Sequence, residues 1–227
     1  MPMSSIATVL SARMASSRLP GKAMLPLGGV PIIQFIVERL RQAQRGGKLI
    51  LATTTRSDDD ILAHLAKQLD ILVFRGADTD VAGRYVALAH EFKLDWIVRV
   101  TGDCPFIDAA SLDYCLAQWQ PSTTGLFWST KGEFPVGIDY ELISCAALRS
   151  GWPSMTAEER EHVTLRFYRS DEANLYGRQF LPPAGWPRTT RHFTVDTPDD
   201  YRQACEWVGR LRTRKFPVSE LLKLSGA

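Results

Sequence analysis

The chain of 227 residues predicts an α/β fold with a mostly parallel central sheet and a mixed C-terminal half. Three observations carry this. Short runs rich in Ile, Val and Leu alternate with segments of helical periodicity through residues 6–118. Beyond Gln118 the rhythm changes to shorter, less regular strands interleaved with helices. The composition, 45% hydrophobic and 23% charged, is that of a folded globular chain. The chain reads as a single domain, 1–227, whose halves meet near residue 118.

Residues 6–11 form the first strand, followed by a polar loop marked by Pro20 and Gly21. Ile32, Ile33, Phe35, Ile36, Val37 and Leu40 then share one wide helical face. Residues 48–54 are the second strand. Asp58, Asp59 and Asp60 precede Ile61, Leu62, Leu65, Ala66 and Leu69, which places acids in the first turn of a helix where its dipole favours them. Residues 71–74 are a third strand, 81–92 a helix and 96–100 a fourth strand, with another helix starting near Asp108. In the second half, strands are predicted at 126–128, 137–143, 176–181 and 192–195, and helices at 145–149, 158–169 and 198–211. Prolines exclude regular structure from 151–154 and 182–187.

Twenty-seven Lys and Arg against 25 Asp and Glu leave a net charge of +2, which argues against a dedicated nucleic-acid binder. Cys104, Cys115, Cys145 and Cys205 form no CxxC pair, so neither zinc nor a redox dithiol is indicated, and a reducing cytoplasm suits them. The N-terminal apolar run of five residues is too short for a signal-peptide core, and no stretch approaches the length of a membrane helix. A cytoplasmic protein with no membrane partner is expected.

The loop after the first strand gathers Arg13, Arg18 and Lys22 with Ser11, Ser16 and Ser17, and contains no acid. In an open α/β sheet this is where ligands bind. The cations suit phosphate oxygens, and Gly21 permits close backbone approach. A solvated connection is the alternative. The loop is not a Walker motif, because Ser16 and Ala23 stand where Gly and Ser/Thr are required, and no GxGxxG follows. Thr101-Gly102-Asp103-Cys104-Pro105 closes the fourth strand, and Asp103 there is either a Mg²⁺ ligand or a turn Asp bonding local N–H groups. Thr197 is a good N-cap, with Pro198 at the first helical position and Asp199 and Asp200 in the first turn. That leaves Asp196 over as a second candidate metal ligand.

Asp139 and Glu141, two apart on a predicted strand, share one face that serves either an acceptor or water. His162 heads a helical stretch and either contacts substrate or is solvated. His64, His90 and His192 have no partner at metal spacing, and G-x-S-x-G is absent. The D-x-D strings at 58–60 and 78–80 are a spacing that this Asp content produces by chance.

In order along the chain, Ala12-Arg-Met-Ala-Ser-Ser-Arg-Leu-Pro-Gly-Lys22, Phe74-Arg-Gly76, Arg84-Tyr85, Arg99-Val-Thr-Gly-Asp-Cys-Pro105, Gly137-Ile-Asp139, Glu159-Arg-Glu-His-Val-Thr164 and Val195-Asp-Thr-Pro-Asp199 closely resemble the spore-coat polysaccharide biosynthesis protein F family. That family stands with the cytidylyltransferases that make CMP-activated sugar acids, such as CMP-KDO synthetase and acylneuraminate cytidylyltransferase.

The resemblance implies a nucleotide-diphospho-sugar transferase fold, GT-A-like and Rossmann-like, and transfer of CMP from CTP to a sugar acid or related acceptor with release of pyrophosphate. Residues 1–118 would be the nucleotide-binding half. Residues 119–227 would carry the acceptor site and a dimerisation surface, since relatives are often homodimers. By motif position Arg13, Lys22, Asp103 and Asp196 are the catalytic residues. Ala12, Arg13, Ser17, Arg18, Lys22, Arg75, Arg84, Gly102 and Asp103 lie toward the nucleotide, and Asp139, Glu141 and His162 toward the acceptor. Asp103 and Asp196 would hold the Mg²⁺ cofactor.

Three departures stand out. Ser11 replaces the common Gln or Pro, Ala15 the frequent Gly, and Gly83 the usual Asp before Arg84. The rival readings are a GT-A glycosyltransferase consuming a nucleotide sugar, and a nucleotide-binding protein without turnover.

Overall fold

A computed structural model of the chain describes residues 5–121, 125–169 and 179–226. Strand β1 (Ile6–Ser11) leads into a loop that ends in a short 3₁₀ turn at Lys22–Met24. A two-residue hairpin, β2 (Pro26–Leu27) and β3 (Val30–Pro31), follows, turned by Gly28 and Gly29, both at positive φ. Helix α1 (Ile32–Leu40), strand β4 (Lys48–Thr54), helix α2 (Asp60–Gln68), strand β5 (Leu72–Gly76), helix α3 (Val81–Glu91), strand β6 (Trp96–Thr101) and helix α4 (Ala109–Gln118) complete the alternating half. The second half supplies β7 (Phe127–Ser129), β8 (Glu141–Ser144), α5 (Cys145–Gly151), α6 (Ala157–Glu161), α7 (Leu165–Arg169), α8 (Pro198–Leu211) and α9 (Val218–Ser225).

Six strands form one sheet in the order β5-β4-β1-β6-β8-β7. The first four run parallel, and β8 and β7 join antiparallel beyond β6, so the sheet is mixed as the sequence predicts. Alternate residues of each strand point to opposite faces. Leu10, Leu51, Val98 and Val100 pack under α1, α2, α4, α8 and α9, while Val9, Ile50, Ala52 and Ile97 pack under α3, α5 and α7. On α1 alone, Ile32, Ile33, Phe35, Ile36, Val37 and Leu40 are buried, each worth about 1.5–3 kcal/mol of transfer free energy. The fold is therefore a three-layer α/β/α sandwich whose sheet is buried on both faces.

Five expectations for the second half change. Residues 151–154, expected to be irregular, end α5 and form a 3₁₀ turn at Trp152–Ser154, where Pro153 sits early enough that its missing N–H costs no bond. The strand at 137–143 shrinks to β8, because Gly137 turns the chain at φ +89°, where a Cβ would collide with the backbone of Phe193. Asp139 consequently lies ahead of the strand and accepts the Gly137 N–H at 2.6 Å. The helix at 158–169 splits into α6 and α7. Val163 is fully buried and Thr164 donates to Glu141, which draws the chain inward and breaks the helical ladder.

Residues 192–195 are extended without a strand partner. Phe193 N–H donates to Val136 O and Val195 N–H to Asp103 O, single bonds to loops rather than a ladder. Of the strand predicted at 176–181, residues 176–178 lie outside the described part, and Gln179 bridges to Ser129. Helix α9, which the sequence reading omits, starts after Pro217 and is anchored by Leu221 and Leu222.

Candidate active site

From β1 the chain moves outward to β4 and β5, then returns to β6 on the other side of β1. Two parallel neighbours whose connections leave in opposite directions open a crevice at their carboxyl ends. A cleft of about 360 Å³ lies there, between the loop after β1, the end of β6, the first turn of α3, the α6 terminus and Asp196.

The loop wall is fixed by backbone contacts. Gly21 sits at φ +70° and its N–H closes the loop onto Met14 O at 3.1 Å. Its conformational freedom thus serves loop closure, and Gly21 does not line the cleft. Met14 N–H donates to Asp59 Oδ1 at 2.7 Å, and the other oxygen of Asp59 accepts from the backbone and hydroxyl of Thr54. Asp59 is 1% exposed. Burial favours its neutral form, but the hydrogen bonds from Thr54 and Met14 win and hold its pKa below the ordinary carboxyl value. The sequence placed this residue at a helix start; its second role, clamping the loop, needs the fold to see. Ala12, Arg13, Ser17, Arg18 and Lys22 all face the cleft, and Arg13 lies 3.6 Å from Asp78.

Opposite them, the chain leaves β6 through Gly102, whose N–H donates to Ser11 O at 2.8 Å. A Cβ at Gly102 would stand 2.8 Å from Ala12 Cβ and 3.0 Å from Ile33, so only glycine lets the two strand ends close. Asp103 and Asp196 then converge on one ammonium. Lys22 Nζ lies 2.8 Å from Asp196 and 3.7 Å from Asp103, and it donates to Val195 O at 3.0 Å. Arg18 approaches Asp196 at 3.0 Å. Burial opposes the charge of Asp103, yet the Lys22 ammonium together with hydrogen bonds from Thr101 and Cys104 outweighs it and the pKa is lowered. Thr197 caps α8 through a reciprocal capping box with Asp200, which leaves the Asp196 carboxylate to the cleft.

Among the described residues no three His, Cys, Asp or Glu side chains cluster as a metal centre. Two convergent carboxylates already gathered around a cation nevertheless fit Mg²⁺, which protein sites commonly hold through one or two carboxylates plus substrate phosphates.

The inner wall is of different make. Arg99, two residues before Thr101 and on the same face of β6, lines the cleft floor and pairs with Glu141 across the β6–β8 register at 2.7 Å. Burial works against the guanidinium, and the carboxylate of Glu141 more than restores it, raising the pKa of Arg99. Glu141 also accepts from Thr164 and Tyr168. Arg84, on α3, is 3% exposed, donates to Ala77 O and lines the same cleft. His162, just past α6, lies at its rim.

The fold therefore brings Ala12, Arg13, Ser17, Arg18, Lys22, Arg84, Gly102, Asp103, His162 and Asp196 together. It does not bring Arg75, Asp139 or Glu141 to the cleft surface. Arg75 donates to Thr54 O and Arg56 O and pairs with Asp60 at 2.6 Å, which bridges β5 to the start of α2. Asp139 is held in the turn before β8, where burial raises its pKa. Glu141 supports Arg99 from behind. Arg99 and Glu161, quoted only as parts of motifs, are charged lining residues that sequence reasoning passed over.

The Asp strings at 58–60 and 78–80 dissolve into separate tasks: Asp58 pairs with Arg56, Asp78 with Arg13 and Arg56, and Asp80 caps α3 while binding Arg160 and Trp152. A Cβ at Gly83 would fall 2.6 Å from Asp80 Oδ2, so the departure at Gly83 makes room for that cap.

Comparison with known proteins adds an independent finding. A family profile described as cytidylyltransferase matches residues 7–180. The chain is 34% identical over 207 residues to the spore coat polysaccharide biosynthesis protein SpsF of Bacillus subtilis, covering 88% of this chain and 84% of that protein. A solved cytidylyltransferase from Leptospira borgpetersenii superposes with a TM-score of 0.88 at 28% identity, over 97% of this chain and 93% of the other. The CTP complex of CMP:2-keto-3-deoxy-manno-octonic acid synthetase superposes with a TM-score of 0.68 at 19% identity, over 92% of this chain and all of that one, a likeness of fold.

Proposed function

The chain belongs to the cytidylyltransferase family, and from that premise we propose that it transfers CMP from CTP to a sugar acid or related acceptor, with Mg²⁺ as cofactor, in the biosynthesis of a surface polysaccharide. The observation that carries the reading is the meeting of Lys22, Asp103 and Asp196 at the switch point of the sheet. An oxygen of the acceptor attacks the α-phosphorus of CTP, the bond to the β-phosphate oxygen breaks, pyrophosphate leaves, and the acceptor hydroxyl gives up its proton to solvent.

Arg13, Arg18 and Lys22 stabilise the charge that grows on the departing pyrophosphate, and the closed backbone loop holds them in place before substrate arrives. Mg²⁺ held by Asp103 and Asp196 would neutralise phosphate charge and polarise the phosphoryl group. Gly102 lets the reacting groups approach the strand ends without a side chain in the way.

The test is a matrix of CTP and UTP against octulosonate, nonulosonate and phosphonate acceptors, scored by pyrophosphate release, with Asp103→Asn alongside. We expect CTP-dependent release that the variant loses by roughly 10³-fold at an unchanged melting temperature, the scale of removing a preorganised electrostatic contact. Release of a nucleotide without pyrophosphate would instead identify a glycosyltransferase. A homodimer belongs to the same reading, and a scattering mass near twice 25.4 kDa checks it.

A further inference from the structure

The cleft contains more cationic binding capacity than its own carboxylates satisfy, and the surplus is at the inner wall. Arg84 is buried, has no carboxylate within ion-pair distance among the described residues, and its Nε has no hydrogen-bond partner. Burial pulls its pKa down, as expected for a cation left without a counter-charge. Arg99 is committed to Glu141 through Nη1 only, and its Nε is buried without an acceptor. A guanidinium has five N–H donors, so each of these side chains retains several. The hydroxyl of Tyr85, fully buried, feels both charges. Leaving such groups unsatisfied in a folded interior is costly, and a binding site is where the cost is recovered on occupation.

Location separates this wall from the phosphate loop. Arg99 lies one strand repeat below Thr101 and is clamped from behind by Glu141, which Thr164 and Tyr168 of the α6–α7 segment hold in turn. Arg84 stands on α3, which α6 adjoins through the Arg160–Asp80 pair, and Glu161 and His162 line the same cleft. Of the loop cations, Arg18 and Lys22 are already engaged with the convergent carboxylates Asp196 and Asp103.

We propose that Arg99, with Arg84 on the same inner wall, receives an oxyanion group of the acceptor, so that Arg99 is the residue that makes this enzyme require an acidic acceptor. The term acceptor rests on the nucleotidyl-transfer reading above; the oxyanion subsite does not. Carboxylate and phosphonate offer the same planar or trigonal set of acceptor oxygens to a guanidinium fork. No covalent step is involved.

The experiment follows the arginine Nε–H resonances of the whole protein, with the Arg99 signal assigned by its loss in Arg99→Lys, which keeps a charge opposite Glu141. Pyruvate, methylphosphonate and glycerol are titrated separately. A saturable shift of the Arg99 signal with pyruvate or methylphosphonate and none with glycerol is expected, and the stronger of the two identifies the group. No shift with either anion, or a shift with CTP alone, overturns the proposal.

In the turnover assay Arg99→Lys should raise the acceptor KM about 10- to 100-fold, the scale of a charge-assisted hydrogen bond, while CTP affinity by calorimetry is unchanged. Equal turnover of a neutral acceptor by the wild-type protein also overturns it. If no acceptor yields pyrophosphate, the transfer reading fails while the resonance titration still decides the subsite.

Discussion

The two walls of the cleft carry similar charges and are built in opposite ways. The loop wall is eleven consecutive residues, 12–22, whose cations are partly exposed and whose shape comes from backbone bonds to Met14 and Gly21. The inner wall draws single residues from α3, β6, β8 and the α6–α7 break, with Arg84 and Glu141 buried and Arg99 held between strand and cleft. A solvated cation on a loop can change partners as ligands enter, which suits a polyphosphate that must arrive and leave. A guanidinium locked by a buried carboxylate cannot follow its ligand, so it selects for shape and charge.

The contrast breaks first at Glu141. Removing it in Glu141→Ala leaves Arg99, 21% exposed, without its counter-ion and should cost about 3–5 kcal/mol of folding stability, read as the denaturant midpoint. A loss under 1 kcal/mol would mean that the inner wall is as adaptable as the loop. Next, Lys22→Met on the loop wall should lower turnover by about 10²–10³-fold with a smaller fall in the denaturant midpoint than Glu141→Ala, because Asp196 keeps Arg18 as a partner. A large fall in stability with intact turnover would reverse the assignment of the two walls.

The smallest expected effect is at the clamp between them. Asp59→Asn should cost about 1–3 kcal/mol, the price of weakening a buried charged acceptor, and raise the KM for CTP. Its pH dependence has a definite sign. The folded-state pKa of Asp59 is depressed below the ordinary value of 3.8, so its contribution is complete above that value and disappears as pH falls through the lower folded value. Acid unfolding below about pH 4 should therefore flatten in the variant, and unchanged acid curves would remove Asp59 from the clamp.

How far the sequence could be read tracks how local each feature is. The strand bounds 6–11 and 48–54 coincide with β1 and β4, because continuous apolar runs between turn residues leave a buried strand little freedom. The helix start at Thr197 was equally legible, since a capping box is completed within four residues. Asp196 follows from it by elimination. The longer strand expected at 137–143 and the single helix at 158–169 failed for one reason. Gly137 answers to the backbone of Phe193 and Thr164 to Glu141, contacts that local periodicity does not encode. Arg75 and Glu141 carry the same lesson for the site, as both lie in recognisable segments yet direct their charge into structural bonds.

By itself the sequence determined the α/β alternation, the cation loop and the spare carboxylates at two later positions, because each depends on residues within a few places of one another. Only the tertiary structure decided that Asp103 and Asp196 meet on Lys22, that Asp59 clamps the loop, and that Arg84 and Arg99 are left with donors to offer. These depend on which distant groups share a buried space, and in such a space a charge must find either a partner or a ligand.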